Sequence, residues 1–399
     1  MPHLTANELR RPYLVIPKLI KQPTWGGSYI VEAKGWSDHE GLGDLKIGQS
    51  YELFSGSNLS LLTSTDDPFF KGELTDNAGV AIPTSPPHAI PLSRFLETDV
   101  VATLGRERSQ THSGKLDLLL KFTQALGNSF QAHISADLQH PKWLPKPESW
   151  YYFEPGLITL GVKPDADWQL YEATVRTVAA GMTRLGDQVK AATLDYYEAQ
   201  DSIKQLLRDR DPWQFVNTVA TKAGDIVDLS SGGLHHSWEE DSATAPLGNV
   251  LYELQSEALD AISTFRSFDK GKMSSDGSIR PIQIDEYFEF INRQPEVNDP
   301  TSHLVQPHEL THTQAFRLER LMDNRFYSLD RLTLKTEGAQ FKDDITSFRH
   351  VFVKSGAVTV ESNDHTVTVG SGHSAFLPAA AHVYTVTAAA PECEVLISY

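Results

Sequence analysis

A chain of 399 residues is too long for one ordinary hydrophobic core and should divide into about two or three packed units. Its 52 acidic against 35 basic side chains leave a formal charge of -17, with no Lys/Arg run to offset it locally, so nucleic acid is excluded as a partner. The N-terminal MPHLTANELRRPYLVIPKLI lacks the apolar core of a signal peptide, no later apolar run approaches the ~20 residues of a membrane span, and Cys393 is the only cysteine; a soluble, cytoplasmic protein without membrane association is the expectation.

From Pro12 to about Gly161, short β-type runs such as YLVIPKLI, QSYELF, LDLLLKFT and WYYFE are broken by Gly, Pro, Ser and Asp, the texture of an antiparallel β domain. In PTWGGSYI, Trp25 precedes Gly26 and Gly27, which reads as a tight turn packed on a core aromatic. The stretch TDDPFFKGELTDNAGVAIPTSPPHAIPLSRFLE reads as a surface loop with a short helix near its end.

The most informative stretch is FQAHISADLQHPKWLPKPESWYYFE, residues 130–154. Gln131 and His133 are two apart, which on a strand puts both side chains on one face, roughly 7 Å apart. Lys146 and Glu148 repeat that alternation and Trp150 and Tyr152 continue it, so a second strand returns beside the first. Gln, His and Glu offer a neutral oxygen, an imidazole nitrogen and a carboxylate, a set suited to zinc or a similar first-row divalent ion. A fourth donor has to come from elsewhere.

Between Asp165 and Asp211 the pattern becomes one helix or two, with Asp167 as N-cap before WQLYEATVRTVAAGMTRL and helical spacing at Leu194, Tyr197, Ile203, Leu206 and Leu207. This is a helical insertion beside the β domain. The β texture resumes after Pro212. In KAGDIVDLSSGGLHH, His235 and His236 point to opposite faces of an extended segment, so at most one joins Gln131 and His133. Further on, Glu253 and Arg266 flank a strand-like or bulged segment with Lys272 close behind, and charges in so apolar a run are expected to pair with each other. Residues 273–312 read as a linker with one short helix near Asp285 to Asn292, in which His303, His308 and His312 face solvent. The cadence of short strands over 316–399, with turns at 354–356, 363–364 and 370–372, suits a jelly roll. His350, His365, His373 and His382 lack a carboxylate in the same short strands and read as exposed positions on edge strands rather than a second metal site.

In order, PTWGG, IGQSYELF, LLLKF, FQAH, KPESWYYF, GDIVDLSSGGLHH, YELQ…FRSFDKGK and IRPIQI resemble the blocks of the zinc-dependent type I phosphomannose isomerases of the cupin fold, which interconvert mannose 6-phosphate and fructose 6-phosphate. The resemblance runs from about Pro23 to the end, its last unit in texture only. It implies a mainly β fold of tandem cupin (jelly-roll) barrels with a helical insertion. Residues 1–164 would form the first part of the N-terminal cupin, 165–212 the helical insertion, 213–275 the completion of that cupin with its site, 276–312 a linker with a short helix, and 313–399 the C-terminal cupin.

The resemblance also implies one zinc ion per chain on Gln131, His133, Glu148 and His235, with His236 turned away or at the pocket rim. Lys146, Glu253 and Arg266 match polar residues placed around the sugar and are the implied catalytic groups. Lys121 matches the lysine of the family's LLIK-like strand, and Lys121 and Lys272, the latter standing where bacterial members often have Arg, are the implied contacts to a phosphorylated hexose. The sequence departs from the family at Ile134, where a proline is usual, at the displaced Asp137, at Lys272 and Gln283, and in a few extra residues between Glu253 and Arg266. Rival readings are an isomerase of another or unphosphorylated sugar, a sugar-binding cupin without turnover, and a non-haem iron oxygenase. Nothing in the sequence sets the oligomeric state.

Overall fold

The computed structural model describes residues 4–23, 25–39, 41–75, 89–237 and 245–399. The chain is mainly β and forms two compact units, one of residues 1–124, 250–257 and 305–399, the other of 125–249 and 258–304. Much of the proline-rich stretch, 76–88, lies outside the described residues; its expected short helix is Leu92–Thr98.

The second unit carries a five-stranded antiparallel sheet in the order Val216–Thr221, Gly156–Val162, His235–Ser237, Phe130–His133, Thr264–Phe268. Register aligns the candidate residues: His235 lies opposite Gln131, Arg266 opposite Gln131 on the other side, and Thr264 opposite His133. Glu148–Tyr152 does not return beside Phe130–His133 as expected from the sequence; it belongs to another sheet, where it pairs with Ile226–Asp228, Val227 lying opposite Trp150.

Alternation sends Phe130, Ala132 and Phe265 the other way, into a core closed by helices. Two helices form there, Trp168–Lys190 and Tyr196–Arg210. The Asp167 carboxylate accepts from the Gln169 and Leu170 amides, satisfying donors that the first turn leaves unpaired. Tyr171, Val175, Val178, Met182 and Leu185 recur at helical spacing and are all buried against that core. The second helix ends at Asp211, whose left-handed φ of 40° precedes Pro212. Helix Ile284–Phe290 adds Tyr287 and Phe288 to the same core.

In the first unit a nine-stranded sheet runs His308–His312, Phe316–Asp323, Ser328–Leu334, Cys393–Ser398, Arg349–Ser355, Ser374–Leu377, Tyr13–Ile16, Asn58–Ser60, Ala89–Pro91. Tyr13–Ile16 thus pairs with Ser374–Leu377, a contact between opposite ends of the chain. A four-stranded sheet, Gln340–Asp344, Val383–Ala388, Ala357–Ser362, His365–Gly370, completes the C-terminal barrel. Its hairpin turns on Asn363 and Asp364 at φ 49° and 62°, the two left-handed positions that a tight β-hairpin requires.

Three histidines expected at the surface are buried. His350 sits on a strand paired on both sides, with Nδ1 3.0 Å from Tyr252 Oη. His373 Nε2 lies 3.1 Å from the Lys34 carbonyl oxygen, next to a Lys34–Glu52 ion pair of 2.7 Å with no side-chain exposure. His303 contacts the carbonyls of Asp228 and Val297 at 2.7 Å each. His303 is satisfied at both ring nitrogens, whereas His350 and His373 are each satisfied at one and leave Nε2 and Nδ1, respectively, buried without a partner among the described residues. His308, His312 and His382 are exposed, and His365 is half-buried.

Candidate metal centre

Three strands and one loop converge on the Gln131 face of the five-stranded sheet. Gln131 and His133 project from Phe130–His133, His235 from the adjacent strand, and Glu148 from the start of Glu148–Tyr152. One ligand atom from each of His133, Glu148 and His235 falls within 4.8 Å of the others, and all three side chains are buried. Gln131 Nε2 is 3.0 Å from His235 Nε2, and a half-turn of its amide exchanges that nitrogen for oxygen. His236 faces away, as alternation requires; its Nδ1 is 3.0 Å from Thr159 Oγ1 and its ring packs on Phe130.

The hydrogen bonds around this cluster set its electrostatics. His133 Nδ1 is 3.0 Å from the Ser263 carbonyl oxygen, which can only accept, so that nitrogen carries the proton. The neutral ring then turns the Nε2 lone pair toward Glu148 Oε2, 3.1 Å away. Two acceptors facing each other at that distance need a proton or a cation between them. Burial, then the Lys146 ammonium, pushes the His133 pKa down and disfavours the proton. Burial, with His133 adding to it, pushes His235 down to about 3. For Glu148 burial acts upward, but the Lys146 ammonium 3.2 Å from its Oε2 opposes it, and the carboxyl is held well below its usual range.

The donor set therefore presents two neutral imidazoles, an ionised carboxylate and a carboxamide. Tetrahedral zinc with N/O ligands at ~2.0–2.2 Å spaces its donors about 3.4 Å apart, and the contacts of 3.0 and 3.1 Å with an outer limit of 4.8 Å surround that value. The residues fit the ion. Supporting groups fix their orientation, as metal sites require: Ser263 holds the His133 ring, and Trp150 Nε1–H donates to Glu148 Oε1 at 2.6 Å.

Lys146 and Arg266 belong to the same cluster. Lys146 Nζ lies 3.2 Å from Glu148 Oε2 and 3.5 Å from Asp260 Oδ1, and Arg266 Nη2 lies 2.8 Å from Asp260 Oδ2. Asp260 was not among the residues singled out from the sequence. It comes from the loop 256–263, where the extra residues before Arg266 form a 3-10 turn, Asp260–Ile262, rather than a bulge. Glu253 and Arg266 do not pair with each other as the sequence suggested. Glu253 belongs to the first unit, where Lys121 Nζ donates to its Oε1 at 2.7 Å and to Gln255 Oε1 at 2.8 Å. Lys272 Nζ donates to the Gly127 carbonyl at 3.3 Å. Among the described residues, His133, Glu148 and His235 form the one acidic or histidine cluster able to hold a metal, and the histidines of the C-terminal barrel form none.

Comparison with protein-family models and with curated proteins finds no match in sequence. Solved structures do match in fold. The mannose 6-phosphate isomerase of Bacillus subtilis aligns with a TM-score of 0.63 at 15% identity, covering 98% of this chain and 99% of its own. A zinc-bound mannose 6-phosphate isomerase aligns at 0.62 and 14%, covering 96% and 98%. The Salmonella typhimurium enzyme bound to fructose 6-phosphate and zinc aligns at 0.61 and 13%, covering 96% and 99%. The chain has the cupin-like fold of these isomerases over nearly its whole length.

Proposed function

We propose that the chain is an aldose–ketose isomerase, and specifically one that interconverts mannose 6-phosphate and fructose 6-phosphate with a single zinc ion on Gln131, His133, Glu148 and His235. The observation that carries this reading is the His133–Glu148 contact. It is a buried lone pair facing a carboxylate at 3.1 Å, which a divalent cation resolves, on the fold shared with zinc-bound isomerases. The same reading keeps two cupin barrels, 1–164 with 213–275 and 313–399, separated by 276–312 and with 165–212 inserted. A reducing, cytoplasmic setting suits a chain whose one cysteine, Cys393, is buried and unpaired.

Isomerisation takes a proton from the carbon beside the sugar carbonyl and returns it to the neighbouring carbon, while negative charge collects on oxygen. Zinc, when bound, supplies a Lewis acid and a template for those oxygens. The protein's own part is to fix positive charge where the oxyanion develops. Lys146 is held between Glu148 and Asp260, and Asp260 also holds Arg266 on the strand opposite Gln131. We assign proton transfer, enediol stabilisation and anion contact to Lys146 and Arg266; Glu253 and Lys121, which pair with each other in the first unit, and Lys272, whose Nζ donates to the Gly127 carbonyl, are proposed as further catalytic and hexose contacts on the resemblance alone.

The test is a coupled assay for fructose 6-phosphate formed from mannose 6-phosphate, run after chelation and again after zinc is restored, with free mannose in parallel. Turnover of the phosphate ester that disappears on chelation and returns with zinc is expected. Turnover of free mannose alone discards the phosphate, and full activity without metal discards the mechanism.

A further inference from the structure

On Thr264–Phe268, Arg266 and Ser267 point to opposite sides, and Ser267 Oγ lies 3.5 Å from Tyr171 Oη on the long helix. On this outer side a cavity of about 340 Å³ opens between Trp168–Lys190 and residues 267–272 and 279–282. Ligand pockets start at ~300 Å³. One wall is apolar, built by Val175, Val178 and Met182. The polar part of the lining includes Asp269, Lys272 and Arg280.

Asp269 is the unusual group. Its side chain is 9% exposed, its Oδ1 is buried with no hydrogen-bond partner, and the Arg280 Nη1 is 3.7 Å from that oxygen, too far for a hydrogen bond. Buried carboxylate oxygens are otherwise paired. Burial accordingly raises the Asp269 carboxyl above its usual range, an effect that the Arg280, Lys272 and Arg266 charges only partly oppose. The cavity thus offers an acceptor that lacks a donor, a guanidinium next to it that is half exposed, and an apolar wall.

We propose that this cavity binds a small carboxylic acid with a hydrogen-bond donor on the adjacent carbon and an apolar side chain, the pattern shared by apolar α-amino acids and 2-hydroxy acids. The donor satisfies Asp269, the carboxylate pairs with Arg280 3.7 Å away, and the side chain covers Val175, Val178 and Met182. Thr183, Asp187, Lys190 and Lys272 also line the cavity, and it is the apolar wall of Val175, Val178 and Met182 that favours an apolar side chain over a sugar. The site uses none of the proposed metal ligands, so it stands or falls separately from the zinc centre.

The test is calorimetric titration of the full-length, zinc-loaded protein with L-leucine and with L-2-hydroxy-4-methylpentanoate. Saturable one-to-one binding of either is expected; binding of only one of them assigns the donor as ammonium or hydroxyl. Val178→Trp, which fills the cavity, should abolish it, and Arg280→Ala should weaken it about tenfold or more, both with zinc content and circular dichroism unchanged. Arg280 is at the surface, so that variant reports even if the tryptophan disturbs folding. The proposal is overturned if neither probe saturates, or if binding persists unchanged in Arg280→Ala.

Discussion

Replacing Glu148 by Gln keeps the shape of the side chain and removes its charge, so it isolates what that charge does at the candidate centre. Lys146, whose side chain is 5% exposed, loses its 3.2 Å partner and keeps only Asp260, itself 57% exposed, at 3.5 Å. Breaking a buried pair by removing one member costs ~3–5 kcal/mol. The new amide donates to His133 Nε2 and returns about 1 kcal/mol. The metal-free variant should therefore be roughly 2–4 kcal/mol less stable than the metal-free parent. Zinc acts on the parent alone. At a free concentration a thousandfold above Kd it adds about 4.1 kcal/mol, and at roughly 2–4 °C per kcal/mol for a unit of 150–250 residues chelation should lower the parent melting temperature by roughly 8–16 °C. In Glu148→Gln, zinc and chelator should leave the melting temperature where it is. Melting curves by circular dichroism, with elemental analysis of each sample, measure both. A variant that keeps one zinc per chain and responds to the chelator like the parent would refute the assignment of Glu148 as a ligand.

Other expectations follow from the supporting groups. Trp150→Phe removes the donor to Glu148 Oε1 and should weaken zinc binding by ~10–100-fold with the fold intact, read by competition with a calibrated chelator. In Asp260→Asn the Lys146 and Arg266 contacts lose their shared anion; because Asp260 is 57% exposed, stability should change by less than about 1 kcal/mol, while kcat/KM falls and zinc content stays at one per chain. Asp167→Ala deletes the cap of the 168–190 helix and should destabilise the protein by about 1 kcal/mol in denaturant titration, leaving zinc affinity unchanged.

Much of the centre was legible because it depends on local periodicity. The two-residue spacing of Gln131 and His133 and the forced divergence of His235 and His236 appear as expected in the strands that carry them, whereas Glu148 comes from a strand of another sheet. Asp167 and the apolar positions after it were readable for the same reason, since caps and helical faces are written within a few residues. What could not be read depends on partners distant in sequence. Asp260 sits in an irregular loop with no motif around it, and only the folded loop brings it to Lys146 and Arg266. The Ser263 carbonyl that sets the His133 tautomer is backbone, so no residue type announces it. His303, His350 and His373 look like surface histidines until their strands and loops acquire neighbours on both sides. Trp150 was read as one more residue of a strand face; its indole nitrogen gained a role only when the Glu148 carboxylate was found 2.6 Å away.

The most direct test of the centre is a crystal structure of the zinc-loaded protein with anomalous data collected on both sides of the zinc absorption edge. One strong peak enclosed by Gln131, His133, Glu148 and His235 at ~2.0–2.2 Å is the predicted result. A peak elsewhere, or none in protein shown by elemental analysis to carry zinc, would contradict it.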